Sequence, residues 1–338
     1  MTKHWTPAEL AALRRLRERF LDGSAGARDY WKAPADLALY DATFAQRIGW
    51  KWDAVLRELA ARGWQPQSRH ALDWGCGSGV AGRRVLAHWP QFASLAVHDR
   101  SAAAMRFAAE KARAEFPNVQ LVSASAALPP DTLLVLSHVI NELPAEALEC
   151  LIALARQARE IIWVEAGTHA DSRRLIDVRE QLLGEFSAVA PCTHSARCGM
   201  LAAQNAPHWC HHFAQPPPAI FQNARWEEFR REIGIDLRAL PYSFLVLEKP
   251  RAPLPAGFSR VIGEPREGKG HLKILSCQAE DVREIVLQKR DAPELFRELR
   301  KGPEGAVYRW HFREGKIIGA DEFPSVSRGV RDPSLRSE

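Results

Sequence analysis

The chain has 338 residues, 46% apolar and 26% charged, the balance of a folded soluble protein rather than a disordered or fibrous one. At roughly 150 residues per domain this length suggests about two domains, each able to bury a core without disulfide staples. Forty-six Lys and Arg against 41 Asp and Glu leave a net charge of +5, which permits a nucleic-acid partner without requiring one, and no run approaches the roughly 18 apolar residues of a membrane span.

The N-terminus, MTKHWTPAELAALRR, lacks an apolar signal core. A cytoplasmic location is expected, where cysteines stay thiols and a cluster of them points to metal or catalysis. Thr6, Pro7 and Glu9 read as a capping box and first turn. From Thr6 to Leu21, Leu10, Leu13, Leu16 and Phe20 recur at helical spacing with Arg14, Arg15, Arg17 and Arg19 between them, predicting an amphipathic helix with a basic outer surface. Two more helices are expected, about 36–47 and 51–62, with Gly63 as the stop, so residues 1–65 form a helical region.

Short apolar runs then alternate with helical ones: strands at 70–73, 94–98, 119–122, 132–137 and 160–165, helices at 80–88, 101–116, 144–158 and 171–183. Such alternation specifies a parallel, doubly wound sheet covered on both faces. The segment 188–218, rich in Cys, His and Pro, reads as a loop held by something other than regular structure; a helix near 225–233 and a strand at 242–248 return to the sheet. Residues 66–249 are thus one domain. Short strands at 259–263, 271–277, 282–288 and 306–311 predict a small β-rich domain over 250–324, and 325–338 read as a disordered tail.

Between the first strand and its helix stands Ala71-Leu72-Asp73-Trp74-Gly75-Cys76-Gly77-Ser78-Gly79. Glycines at alternate positions let backbone approach a ligand, and the following helix offers free N–H groups. Gly77, Gly79 and Gly82 also satisfy the dinucleotide pattern GxGxxG, but that register would bury Asp73 inside the sheet. With the strand ending at Asp73, its carboxylate stands at the rim, free to meet an amino group. This is similar to the DxGxGxG arrangement of S-adenosylmethionine (SAM) methyltransferases. Asp99, ending the second strand, is then placed for both ribose hydroxyls. His138, Asn141 and Glu142 follow the fourth strand, where ligands bind, but no catalytic group is assigned.

Cys192, Cys198 and Cys210 fall in one irregular loop, as a metal that organises the segment would require. No CxxC pair is present; iron–sulfur, zinc and unligated thiols all remain open, with Cys277 or one of His194, His208, His211 and His212 as a fourth ligand. Pro191-Cys192 could also carry the nucleophile of a cytosine-carbon methyltransferase. Cys76 and Cys150 read as packing residues.

The segments ALDWGCGSG, VHDRS, LSHVINELP, WVEAGT, APCTHSARC with WCHHF, PYSFLVLEK and LKILSC, spread over about residues 70–290, together resemble the ribosomal small-subunit methyltransferase-like proteins of bacteria and mitochondria. The resemblance implies a Rossmann-like SAM-dependent methyltransferase fold, SAM held through Asp73, Gly75, Gly77, Gly79 and Asp99, and a [4Fe-4S] cluster on Cys192, Cys198, Cys210 and Cys277. Thr193 and Gly199 depart from prolines common in that family. The implied partner is the small ribosomal subunit or its rRNA, with no membrane, and the chain is expected to be a monomer. Two functions follow: methyl transfer to small-subunit RNA or assembly intermediates, or a non-catalytic assembly factor that binds rRNA.

Overall fold

The computed structural model describes residues 4–21, 31, 33–125, 127–250, 255–302 and 305–323; the tail expected at 325–338 lies outside them. The first helix, α1 (Pro7–Leu21), begins as its sequence indicates. The Glu9 amide donates to Thr6 Oγ1 at 3.2 Å and the Thr6 amide to Glu9 Oε2 at 2.7 Å, satisfying two donors of the first turn reciprocally. The next two helices, α2 (Pro34–Asp41) and α3 (Phe44–Ala61), break at Ala42 and Thr43 rather than between residues 47 and 51. There the Thr43 hydroxyl donates to the Leu39 carbonyl at 2.6 Å, a local bond that apolar periodicity cannot register.

The basic face of α1 turns out to be engaged within the molecule. Arg14 meets Glu232 and Arg15 meets Asp36, each at 2.6 Å, while Arg17 donates to the carbonyls of Ile233 and Gly234.

The sheet domain continues as β1 (His70–Trp74), α4 (Val80–His88), β2 (Ser94–His98), α5 (Ala102–Glu115), β3 (Gln120–Ser123), β4 (Thr132–Ser137), α6 (Ala145–Ala155), β5 (Glu160–Ala166), α7 (His169–Leu182), β6 (Ser187–Ala190), β7 (His212–Phe213), α8 (Ala224–Ile233) and β8 (Pro241–Glu248). Its spatial order is β3-β2-β1-β4-β5-β8-β6, with β7 beside β8. The first five strands are parallel and β8 runs antiparallel between β5 and β6. Period-2 alternation divides the core: Leu133, Val135, Ile162 and Val164 face one layer of helices, and Leu134, Leu136, Ile161 and Trp163 face the other. Each fully buried Leu or Ile among them contributes about 1.5–3 kcal/mol.

A five-stranded antiparallel sheet follows: β9 (Ser259–Gly268), β10 (His271–Cys277), β11 (Val282–Gln288), α9 (Pro293–Arg300), β12 (Val307–Arg313) and β13 (Lys316–Glu322). Four elements were not read from sequence, among them two-residue β7, which pairs with β8 inside the segment expected to be a loop. Four-residue β6 lies in the segment expected to be a loop and is drawn into the sheet by β8. Eight-residue α9 is too short to display a repeating pattern, and β13, KIIGADE, carries glycine and acidic residues that disguise it as a turn.

One buried charge joins these parts. Glu58 Oε1, on α3, accepts from Arg62 Nη2 at 2.7 Å and from Arg260 Nη1, on β9, at 2.6 Å. Arg62 also donates to the carbonyls of Val189, Pro191 and Cys192, and Arg260 meets His212 Nδ1 at 3.1 Å. Burial alone would raise the Glu58 carboxyl, but Arg260 and Arg62 reverse this and hold it below the ordinary carboxylate value. Glu58→Gln leaves two buried guanidinium groups uncompensated and is expected to cost about 3–5 kcal/mol in urea unfolding; a loss under about 1 kcal/mol, the scale of an exposed pair, would contradict this role.

Candidate cofactor site and cysteine cluster

The glycine loop follows β1 where the sheet order reverses, the switch point at which open α/β sheets bind ligands. Gly75, Gly77 and Gly79 have φ of +71°, +52° and +78°, conformations costly for any residue with a Cβ. The amides of Gly75 and Cys76 donate to the His98 carbonyl at 2.7 and 3.0 Å, and Gly77 donates to Asp99 Oδ2 at 2.9 Å, so the loop is sewn to the end of β2. Asp99 Oδ1 accepts from Ser101 at 2.9 Å, combining a pocket position with a role at the entry to α5.

Asp73 corrects the expectation of a carboxylate at the rim. The strand runs on to Trp74, and Asp73 is wholly buried, its Oδ2 accepting from the Gly82 amide at 2.9 Å while Oδ1 has no partner. Burial pushes its carboxyl up to about 7. Gly82 is required here because a Cβ would come within 2.8 Å of that carboxylate. Gly79 likewise serves packing: its Cβ would meet Ala108 Cβ at 2.8 Å, and it does not line the cavity, whereas Gly75, Gly77 and Asp99 do.

The cavity has a volume of about 410 Å³, within the range of small-molecule sites. Its far wall, which sequence reasoning missed, comes from the N-terminal helices: Tyr40, Phe44, Arg47 and Lys51. Arg47 and Lys51 lie one turn apart on α3, a spacing indistinguishable in sequence from a solvated face. Burial, followed by the charge of Arg47, pulls the Lys51 ammonium down to about 7.

His138 lines the same cavity just beyond β4, at φ 56°, one of two non-glycine residues with positive φ among those described. Its strained backbone is held from both sides. Its amide donates to the Val164 carbonyl at 2.9 Å, and Glu165 Oε1 accepts from the amides of Val139 and Ile140 at 3.0 Å each. The imidazole Nε2 is shut off from solvent without a partner; burial and then the cations Lys51 and Arg47 hold the ring well below its usual value, so it is neutral. Glu142 and Asn141 also line the cavity.

About one cavity of about 40 Å³ the fold gathers Cys192, Cys198, Cys210 and Cys277, which are separated by up to 85 positions in sequence. The surroundings are apolar, with Ile176, Met200 and Ile262. Arg179 donates to the carbonyls of His194 and Ala196 beside the thiols, and burial pushes the Cys198 thiol up to about 11 and Cys210 and Cys277 further. His194 Nε2 lies 3.7 Å from Cys277 Sγ and His212 Nε2 3.8 Å from Cys210 Sγ. Among the described residues, no group of three or more His, Cys, Asp or Glu side chains stands ready to hold a metal ion. Cys76 is buried as expected, but Cys150 is exposed on α6 rather than packed.

The sheet order, the antiparallel strand inserted next to β5 and the glycine loop define a Rossmann-like fold of the SAM methyltransferase class. Residues 40–309 match the family described as mitochondrial small ribosomal subunit Rsm22, and the chain belongs to that family. No curated protein matches it. Similar solved structures include a candidate RNA methyltransferase from Pyrococcus horikoshii (9% identity, 59% of this chain and 84% of that one, TM-score 0.38) and magnesium protoporphyrin IX methyltransferase from Synechocystis PCC 6803 with bound SAM (17%, 71% and 97%, TM-score 0.35). No helix among the described residues is long and apolar enough to cross a membrane.

The half-buried Lys51 supplies a pH test. Its folded value lies near 7 and its unfolded value near 10.4, so between these the unfolded chain binds more protons and the Lys51 contribution to stability improves as pH rises. Lys51→Met is expected to flatten the stability profile from about pH 7 to 10, measured by urea unfolding; an unchanged slope would refute the assignment.

Proposed function

We propose that this protein binds SAM in the cavity above the glycine loop and transfers its methyl group within the small ribosomal subunit, to RNA or to an assembly intermediate. The observation that carries the reading is one cavity lined by Gly75, Gly77, Asp99 and His138 from the ends of the strands and by Arg47 and Lys51 from the N-terminal helices. SAM, when bound, supplies an electrophilic methyl group. Asp99 is suited to accept ribose hydroxyls, and the left-handed glycines let backbone approach the methionine portion. Asp73 acts behind them by holding the Gly82 amide. The cations Arg47 and Lys51 are suited to a carboxylate, and aromatic Tyr40 and Phe44 keep water from the acceptor side. Orientation then supplies much of the rate.

The test is calorimetric titration of SAM, followed by incubation with labelled SAM and immature small subunits. Asp99→Ala should weaken SAM binding at least tenfold, and label should enter RNA or protein. Binding without label in either would favour the alternative, a non-catalytic assembly factor that binds rRNA.

We further propose a [4Fe-4S] cluster on Cys192, Cys198, Cys210 and Cys277. Zinc would need thiolates drawn to Zn–S distances of about 2.3 Å. The support for the cluster is that all four cysteines line one small cavity, as a group held by four thiolates requires. Four charged thiolates in apolar surroundings require compensating cations, and Arg179, Arg260 and Arg62 lie near enough to contribute. The proposal needs a reducing compartment; the cytoplasm is one, and the family's description names the mitochondrion as another. Anaerobically purified protein should contain iron and acid-labile sulfide in stoichiometric amounts, and Cys210→Ser should lose both together with thermal stability. Stoichiometric zinc without sulfide would disprove the cluster.

A further inference from the structure

The C-terminal sheet has a distinctive chain path. From β9 the chain meanders through β10 to β11, crosses by α9, and returns as the hairpin β12–β13, with β12 paired to the start of β9. The spatial order is β11-β10-β9-β12-β13, every pair antiparallel, so β11 and β13 run in the same direction. These two strands pack side by side without pairing, closing the sheet into a partly open barrel around Leu272, Leu287, Leu299 and Ile317. Five strands with a helix between the third and fourth, and the first strand shared between the second and fourth, form the OB-type barrel, whose outer face and loops hold oligonucleotides or oligosaccharides.

Fold alone assigns no ligand. The surface narrows the choice. Of the six large apolar side chains exposed among the described residues, three lie on this barrel: Val286 on β11 and Ile318 on β13, the two strands of the unpaired seam, and Phe312 on β12, one strand in and opposite Ile317 of β13. Arg313 and Lys316 stand directly opposite each other at the end of the β12–β13 hairpin, both exposed. Like charges in register destabilise a hairpin unless an anion lies between them. Neither they nor exposed Lys289, just past β11, meets a carboxylate among the described residues. Elsewhere on the barrel, Lys273 and Arg266 are matched by Glu284.

We propose that the seam between β11 and β13 binds single-stranded RNA, with Phe312, Ile318 and Val286 against base faces and Arg313, Lys316 and Lys289 on phosphates. The cations favour a polyanion over a neutral saccharide, and apolar contact with base faces requires unstacked bases, which a duplex does not offer. Methyl transfer is not needed for this binding.

Fluorescence anisotropy of the full chain with a labelled mixed-sequence RNA of about 12 nucleotides provides the test. The double variant Arg313→Glu/Lys316→Glu should raise Kd at least tenfold and make the slope of log Kd against log salt shallower by about 1.4, two contacts at about 0.7 each. Phe312→Ala/Ile318→Ala should raise Kd several-fold and leave the slope unchanged. Calorimetric SAM binding, unaltered in all variants, verifies the fold and keeps this result separate from the cofactor reading. Arg113→Glu, on the exposed side of α5, is the control. Wild-type affinity and slope in the double variant, equal affinity for a duplex of the same length, or an equal loss in the control would each overturn the proposal.

Discussion

The carboxylate of Glu58 is the point on which the assembly depends. A charge buried this deeply is tolerable only when countercharges and hydrogen bonds surround it, and through its two partners, Arg62 and Arg260, it ties together three separate stretches of chain. Arg62 lies one turn further along α3 and grips the backbone that enters the cysteine segment; Arg260 arrives from β9. The N-terminal helices, the cysteine segment and the barrel are therefore mutually oriented by one carboxyl group. This matters for the thiols, because Cys277 belongs to the barrel and Cys192 follows directly from the backbone held by Arg62. The Glu58 network holds the backbones that carry them in register.

The cofactor cavity is built on the same principle of strain held by neighbours. His138 occupies a left-handed conformation because Val164 and Glu165 on the adjacent strand capture three successive amides. Burial raises Glu165 to about 8 and Asp73 to about 7, so each uses carboxyl oxygens as backbone acceptors at little electrostatic cost. The groups left facing the ligand space are different ones: Asp99, Lys51, Arg47 and the His138 ring. Asp73, which reads as ligand-binding in the glycine motif, thus lies one layer behind the cavity wall.

Much of this was legible in the residue order. Alternating apolar runs from Ala71 to Glu165 announce a doubly wound sheet because each strand is buried on both faces, and the β4 and α4 boundaries agree with the pattern. The capping box at Thr6 and Glu9 is a local device and forms locally. The basic face of α1, in contrast, reads as an outer surface, yet Arg14, Arg15 and Arg17 are engaged by Glu232, Asp36 and the end of α8. Charge in sequence does not say whether a partner lies within the same chain. Cys150 was misplaced for a related reason: in a short helix with many apolar residues, periodicity leaves more than one face eligible for burial.

What the sequence determined by itself was the set of groups and the local geometry: glycines able to adopt positive φ, four cysteines in two separated segments, strands and helices with their periods. Local sterics and side-chain entropy act over a few residues and leave readable traces there. What only the tertiary structure decided was which groups share a space. It moved Asp73 from the rim into the core, brought Lys51 and Arg47 opposite the glycine loop, drew β6 into the sheet, and closed five short strands into a barrel with an open seam. Those outcomes depend on contacts between residues tens to hundreds of positions apart, where burial and charge compensation are settled by the whole packed chain.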